Sequence, residues 1–219
     1  MVDRRVDWEY LVLAFFATAA IMSIVLFTGL QLNETKINSL RDDVKQVEVE
    51  QKSRDLGLQF AENVEGDKCK AIKDWVNSTD SKLENLRQQV AAYESSKKLD
   101  TDQYELVKKR YMNLLIQNII ETRKMESQCG EQKIDIIYFY SKEDCDRCRD
   151  QGTVLTAIRR NYKDDIMVYP LDTDLGMENI QFMESYYNVQ KYPSLVVQGE
   201  VYNGFRTREE LNQIINEIN

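Results

Sequence analysis

The sequence predicts an α/β C-terminal domain with the element order β-α-β-α-β-β-α, preceded by an N-terminal transmembrane helix and an α-helical hairpin or coiled-coil stalk. Three observations predict this class: an uncharged run near the N-terminus, a proline-free middle segment with apolar residues at helical spacing, and strand and helix patterns that alternate after residue 133. The predicted domains are an N-terminal tail at 1–9, a transmembrane helix at 10–31, a helical stalk or hairpin at 33–130 and the α/β domain at 133–219.

The composition excludes several classes of function. The chain has 219 residues, a formal net charge of −8 and no histidine. Without histidine there is no histidine-assisted catalytic triad and no histidine metal ligand. An acidic chain without a basic stripe argues against nucleic acid as a partner. Nothing in the sequence predicts a bound metal or another cofactor.

The run at residues 10–30 predicts a helix that crosses a membrane. It carries no charge and would be about 31 Å long, which matches a bilayer core. A cleaved signal peptide is the alternative, but its small-residue motif, Ala17-Thr18-Ala19, lies in the middle of the run. We therefore expect a single-pass protein of the cell membrane that contacts the lipid bilayer through 10–30. We expect its N-terminus to be cytoplasmic and its C-terminal domain extracytoplasmic.

The middle third predicts two antiparallel helices, about 67–95 and 101–128. Apolar residues recur at alternating spacings of three and four, which is typical of a heptad seam. The seam of the first helix consists of Ile72, Val76, Thr79, Leu83, Leu86, Val90 and Tyr93. The short connection between the helices indicates a hairpin. The same seam leaves open a homodimer through the stalk, a spacer or a docking surface for a partner.

Two cysteines lie at matching distances from the predicted turn. Cys69 and Cys129 are each about 30 residues from it, so an antiparallel hairpin brings them to the same end. A disulfide there would contribute roughly 3–4 kcal/mol in the chain-entropy model. Two unrelated buried thiols are the alternative. Because disulfides persist in oxidising compartments, this pair supports the extracytoplasmic assignment.

The other two cysteines form a Cys-x-x-Cys motif. Cys145-Asp146-Arg147-Cys148 follows a strand-like run at 134–140 and precedes a predicted helix, and Tyr192-Pro193 precedes the third strand. This combination resembles the thioredoxin superfamily over about residues 133–219. The full chain is similar to membrane-anchored thioredoxin-like proteins in archaeal genomes.

The spacing of the motif has a chemical reason. Residues i and i+3 on a first helical turn are close enough to form a disulfide, and the helix N-terminus stabilises a thiolate. We predict Cys145 as the exposed nucleophile and Cys148 as the resolving cysteine. The resemblance implies that Pro193 is cis and that the backbone of Tyr192 binds an extended substrate. The predicted tuning residues are the cations Arg147 and Arg149, which favour the thiolate, and the acids Asp144 and Asp146, which oppose it.

The motif departs from the family pattern at three places. Asp144 replaces the usual tryptophan, Asp146-Arg147 replaces Gly-Pro, and Tyr138-Phe139-Tyr140 occupies the strand end where thioredoxins carry a buried acid. These departures argue against a fast general reductant.

The sequence predicts a membrane-anchored thiol–disulfide oxidoreductase that acts on protein cysteines through a mixed disulfide. Its partners would be protein thiol or disulfide substrates. The alternative is a non-catalytic thioredoxin-fold binding or assembly module in which Cys145–Cys148 is a structural disulfide. Two further alternatives are half of a zinc site completed by Cys69 and Cys129, and a trans Pro193 that merely begins a strand.

Overall fold

Helices come first along the chain and a small sheet comes last. The structure is a computed structural model that describes residues 15–23, 49–95, 101–130 and 133–218. The chain divides into two compact units, Met1–Gly57 and Leu58–Asn219. Residues 15–23 and 49–63 are helical. The later helices are α1 (Lys68–Ser95), α2 (Thr101–Cys129), α3 (Cys148–Tyr162), α4 (Glu178–Tyr186) and α5 (Arg208–Ile218), and the strands are β1 (Ile134–Tyr140), β2 (Ile166–Asp172), β3 (Ser194–Val197) and β4 (Glu200–Asn203).

The four strands form one mixed sheet in the order β2-β1-β3-β4. Strand β1 pairs with β2 in parallel and with β3 antiparallel, so that Ile137 lies opposite Tyr169 on one side and Val196 on the other. The β3–β4 pair is an antiparallel hairpin. Because β1 has a partner along both edges, its backbone donors and acceptors are satisfied within the sheet.

Both faces of β1 are covered, which explains its nearly continuous apolar sequence. Successive side chains of a strand point to opposite faces. Ile137 and Phe139 pack into a core shared with α1, α2 and α4, whereas Ile136 and Tyr138 pack into a second core shared with α3 and α5. The sheet therefore lies between a layer that contains the helical hairpin and a layer of two helices.

Helices α1 and α2 form an antiparallel hairpin within the chain. The seam residues Ile72, Val76 and Val90 are buried there. The one polar position of the seam, Thr79, is buried because its hydroxyl donates to the Glu121 carboxylate of α2 at 3.0 Å. The predicted homodimer through this seam stays a prediction.

A disulfide joins the open end of the hairpin. Cys69 and Cys129 are bonded, with their Cα atoms 5.5 Å apart and a sequence separation of 60. This bond links the start of α1 to the end of α2, one residue before Gly130 leads towards the sheet. It therefore restrains the hairpin at the end from which the chain enters β1.

The predicted stalk is wrong, and with it the predicted fold class. Among the described residues, helices predominate and the sheet is small. The hairpin is not separate from the sheet, because Met112, Leu115 and Ile119 of α2 belong to one buried cluster with Ile137 and Phe139, and α2 contacts strand β2. A heptad-like seam indicates only that a helix has a partner, and here part of that partner is the sheet. The predicted domain boundaries themselves stay predictions.

The predicted transmembrane helix is also wrong. Of the 10–31 span, residues 15–23 are described as helix, and the other positions lie outside the described residues. In the described ranges, no helix combines the length and the apolar character that crossing a membrane requires. The single-pass topology and the cell-membrane localisation, with a cytoplasmic N-terminus, are corrected accordingly.

Removal of the hairpin disulfide will destabilise the protein. Replacing both Cys69 and Cys129 by serine should lower the free energy of unfolding by about 3–4 kcal/mol, because the unfolded chain regains the freedom of a long loop. Urea unfolding of the double variant and the parent measures the difference. The matched control replaces Cys145 and Cys148, which are only three residues apart, and should cost less than half as much. Equal losses in the two double variants would contradict the loop-length argument.

Candidate functional site

The Cys145–Cys148 pair is a disulfide at the C-terminal end of the central strand. The two Cα atoms are 5.6 Å apart. Cys145 is partly exposed, whereas Cys148 is only 6% exposed. Helix α3 begins at Cys148 rather than at Cys145, with Arg147 as its N-cap residue. The second cysteine is therefore the one in the first helical turn, where unpaired N–H groups and the helix dipole stabilise negative charge.

The loop between β1 and Cys145 is held by one carboxylate from the end of β2. Asp174 accepts hydrogen bonds from the Ser141 hydroxyl and from the Lys142 amide, both at 2.6 Å. Ser141 Oγ in turn accepts from the Asp144 amide at 2.7 Å. Partial burial alone would raise the pKa of Asp174, but these hydrogen bonds outweigh it and hold the pKa below its usual value. The loop is therefore fixed to the strand end while Asp174 is ionised.

A cavity of about 940 Å³ lies beside the disulfide, and both cysteines line it. The sheet contributes two tyrosines to the wall, Tyr138 and Tyr140, whose rings stack with centroids 5.3 Å apart. The Tyr138 hydroxyl donates to the Cys148 carbonyl at 2.6 Å, which ties the start of α3 to the central strand. Burial is the main cause, and the Asp172 charge a second cause, of the raised pKa of Tyr138 and of Tyr140.

The helical hairpin supplies another wall of the same cavity. Glu94 of α1 and Tyr104 of α2 both line it. The Glu94 carboxylate accepts from the Tyr104 hydroxyl at 2.8 Å and from Lys142 Nζ at 2.6 Å. These bonds link both helices to the loop that precedes Cys145. Sequence analysis missed this contribution, because the hairpin was expected to form a separate stalk.

A buried ion pair lies behind this wall. Lys108 of α2 is 3% exposed and donates to the carboxylate of Asp172, which is 1% exposed. The Lys108 ammonium is 5.4 Å from the centre of the Tyr104 ring and 5.9 Å from that of Tyr140. Sequence analysis missed this pair. The available signal was that Lys108 shares a helical stripe with Tyr104 and the buried Met112.

Only some of the charged residues around the motif line the cavity. Asp146 and Arg149 line the cavity. The Arg147 guanidinium instead pairs with Asp150, with Nε and Oδ2 2.9 Å apart, and lies 4.0 Å from the centre of the Phe205 ring. Asp144 is exposed, and its amide is bound to Ser141. Of the two predicted cations, Arg149 is therefore the one on the cavity wall.

The segment before β3 lies against the same core as the cysteines. The Tyr192–Pro193 peptide bond is cis. Tyr192 and Cys145 both pack against the cluster that contains Cys148. Pro193 is buried, and its carbonyl accepts from the Gly204 amide at 2.7 Å. Gly204 has a φ of 89°, and a Cβ there would lie 3.0 Å from Lys191 Cε, so glycine suits this position.

The Tyr192 side chain is partly buried and its hydroxyl donates to the Glu184 carboxylate of α4. Burial raises the pKa of Tyr192, and the hydrogen bond to Glu184 raises it further. This contact fixes the ring against α4. The Tyr192 hydroxyl is therefore already occupied by a partner within the protein.

The four cysteines do not form a shared metal site. Cys69 and Cys129 are bonded to each other at the end of the hairpin, so a zinc site shared with the motif is excluded by their pairing. In the ranges that the structure describes, no group of three or more cysteine or acidic side chains is arranged to hold a metal ion.

The comparisons with known proteins give weak structural neighbours. No protein-family model matches the chain, and no curated protein aligns with it significantly. A solved malarial protein is 18% identical, covers 39% of this chain and 97% of its own, and has a TM-score of 0.35. The germline thioredoxin Deadhead of Drosophila melanogaster is 17% identical over 46% of this chain and 94% of its own, with a TM-score of 0.35.

A third neighbour is chloroplastic thioredoxin z, at 14% identity, 44% and 88% coverage and a TM-score of 0.36. Two of these three neighbours are thus thioredoxins. The scores and identities are too low to establish a family or an activity for this chain. They lend no support to the narrower resemblance to archaeal membrane-anchored proteins.

Breaking the buried ion pair will destabilise the fold. Lys108→Met leaves the Asp172 carboxylate buried without its cation and should lower the free energy of unfolding by about 3–5 kcal/mol. The double variant Lys108→Met/Asp172→Asn removes both charges and should be clearly more stable than the single variant. Urea unfolding measures both.

A neighbouring lysine provides the control. Lys109 pairs with Glu105 at 2.5 Å on the exposed side of the same helix, so Lys109→Met should change the stability by less than about 1 kcal/mol. If the double variant is as unstable as Lys108→Met alone, an unpaired charge is not the cause of the loss.

The Asp174 carboxylate should stabilise the loop only above acidic pH. Its folded-state pKa is lower than its usual value, so its contribution is present above the unfolded pKa and is lost as the pH falls through the folded pKa. Asp174→Asn should therefore lose less stability between neutral pH and pH ~3 than the parent does. Chemical unfolding at the two pH values measures this, and hydrogen exchange of the Lys142 amide should be faster in the variant at neutral pH. The control is Glu143→Gln in the same loop, in which hydrogen exchange of the Lys142 amide at neutral pH should match that of the parent, because the bond from this amide to Asp174 is kept.

Proposed function

We propose that this chain is a thioredoxin-like thiol–disulfide oxidoreductase that acts on cysteines of proteins. The observation that carries the proposal is the Cys145–Cys148 disulfide, with Cys145 partly exposed on a cavity of about 940 Å³ and Cys148 buried. A purely structural cross-link between residues three apart closes a very short loop, so it adds less than half of the stability that the Cys69–Cys129 bond adds. An accessible first sulfur and a shielded second one are what exchange chemistry requires.

The proposed reaction transfers two electrons, and the two protons that the substrate thiols lose on ionising are balanced by protonation of the two protein thiolates that leave. A substrate thiolate attacks Cys145 Sγ; the Cys145–Cys148 bond breaks, and Cys148 leaves as a thiolate. A second substrate thiolate then attacks the substrate sulfur of the mixed disulfide, and Cys145 leaves as a thiolate. The substrate dithiol has become a disulfide and the protein disulfide a dithiol. The reverse sequence reduces a substrate disulfide.

The two sulfurs have different roles in this reaction. Cys145 is the one a polypeptide reaches, because it lines the cavity and is partly exposed. Cys148 is the first residue of α3. There the helix N-terminus stabilises the Cys148 thiolate, which is the leaving group of the first step and the attacking group of the reverse reaction. This division supports Cys145 as the nucleophile of the reduced protein and Cys148 as the resolving residue.

The neighbouring residues have supporting roles in the proposal. The backbone at Tyr192-Pro193 holds the substrate chain, which is supported by the packing of Tyr192 against the same cluster as Cys145. Arg149 favours a thiolate from the cavity wall, and Asp146 opposes it from the same wall. Arg147 acts less, because its guanidinium is already bound to Asp150 and Phe205.

Trapping the mixed disulfide tests the proposal. In Cys148→Ser the resolving thiol is absent, so Cys145 should retain substrate polypeptides as disulfide-linked adducts that a reductant releases. Non-reducing gels and mass spectrometry of the adducts, with the linked cysteine identified, provide the measurement.

Cys145→Ser is the matched control, because it removes the exposed sulfur and leaves the buried one. It should trap few or no adducts. If Cys148→Ser also yields none under mildly oxidising conditions, the pair is a structural cross-link and the catalytic proposal fails.

A further inference from the structure

The wall of the cavity beside Cys145 is aromatic. Tyr104 from the hairpin and Tyr138 and Tyr140 from the central strand all line it. Each hydroxyl already has a partner in the protein: Glu94 for Tyr104, the Cys148 carbonyl for Tyr138 and Asp172 for Tyr140. Tyr138 is only 5% exposed and lies beneath Tyr140, so Tyr104 and Tyr140, which are partly exposed, offer a ligand ring surface rather than a free hydroxyl.

The charged groups of the wall largely satisfy one another. Glu94 is bound to Lys142 at 2.6 Å, and Asp150 is bound to Arg147 at 2.9 Å. Asp146 and Arg149 remain, one of each sign. The lining carries three acids and two bases, and Arg147, which lies off the wall, neutralises the third acid, so ion pairing leaves no strong net charge with which to select an anionic or a cationic ligand.

The cavity is much larger than a cysteine side chain. At about 940 Å³ it lies near the upper end of small-ligand cavities, and a cysteine side chain would occupy a small part of it. Cys145 lies on the wall, so a polypeptide bonded to it would place the side chain next to its cysteine in the remaining space.

We propose that this cavity is a specificity pocket for a large aromatic side chain beside the reactive cysteine of the substrate, and that the hairpin completes it through Tyr104. The inference rests on the proposed thiol–disulfide exchange and names the substrate class of that site. Aromatic rings pair favourably with one another in offset or edge-on arrangements, whereas an alanine would leave the pocket unfilled. Selection is by shape and aromatic contact rather than by charge.

Two dithiol peptides test the inference. They are identical except that the residue before the first cysteine is phenylalanine in one and alanine in the other. The oxidised full-length protein should oxidise the phenylalanine peptide about 10-fold faster, since a filled apolar pocket discriminates by roughly that factor. Acid-quenched samples separated by chromatography give the second-order rate constants, and no other oxidant is required.

Variants test whether Tyr104 is responsible for the preference for the phenylalanine peptide. Tyr104→Ala should reduce the ratio of the two rate constants by about 3-fold or more, because one ring of the pocket is lost. Tyr104→Phe keeps the ring and should keep the ratio, which separates loss of the ring from loss of the bond to Glu94. Tyr186→Ala is the matched control, since Tyr186 is 73% exposed on α4 and does not line the cavity. It should leave both rate constants unchanged.

The outcomes separate the two proposals. Equal rates for the two peptides overturn the pocket while thiol–disulfide exchange stands. A preference that survives Tyr104→Ala unchanged places the selectivity elsewhere and also overturns the pocket. If the oxidised protein oxidises neither peptide and the reduced protein reduces the disulfide form of neither, the proposed function fails and the pocket fails with it.

Discussion

The burial of the central strand β1 is the constraint on which the described C-terminal half depends. This strand pairs along both edges and is apolar on both faces, so it is stable only when each face is covered. Helices α3 and α5 cover one face, and the hairpin with α4 covers the other. If the hairpin were a free stalk, Ile137 and Phe139 would lose most of their cover. The hairpin is therefore part of the fold that presents Cys145.

The same packing joins the hairpin to the site. Helix α2 lies on the sheet with Lys108 against the end of β2, where Asp172 is buried, and this fixes the position of Tyr104 one turn earlier. Tyr104 and Glu94 then reach the loop before Cys145 through Lys142. A change in the hairpin core is thus expected to alter the wall of the cavity as well as the stability.

Local features of the site could be predicted from the sequence, and distant ones could not. The Cys145–Cys148 pairing depends on residues three apart, and the apolar run of β1 is legible within seven residues. The elements that pack on the faces of β1 could not be predicted, because the apolar seam of α1 shows that the helix has a packing partner without showing which one. The transmembrane helix predicted from the uncharged N-terminal run was wrong for a related reason, since apolar length alone does not determine the environment of a helix.

The cavity shows most clearly that the candidate site includes residues far in sequence from the Cys-x-x-Cys motif. Its wall combines the end of α1, the start of α2, the end of β1, the start of α3 and Pro170 of β2, so its residues lie up to 76 positions apart, from Glu94 to Pro170. No spacing rule joins such positions. In the proposed function, the motif supplies the disulfide that exchanges, whereas these walls select the polypeptide that reaches it. Because the ionic groups of the wall are mostly paired with each other and the tyrosine hydroxyls are occupied, what remains for recognition is ring surface and shape.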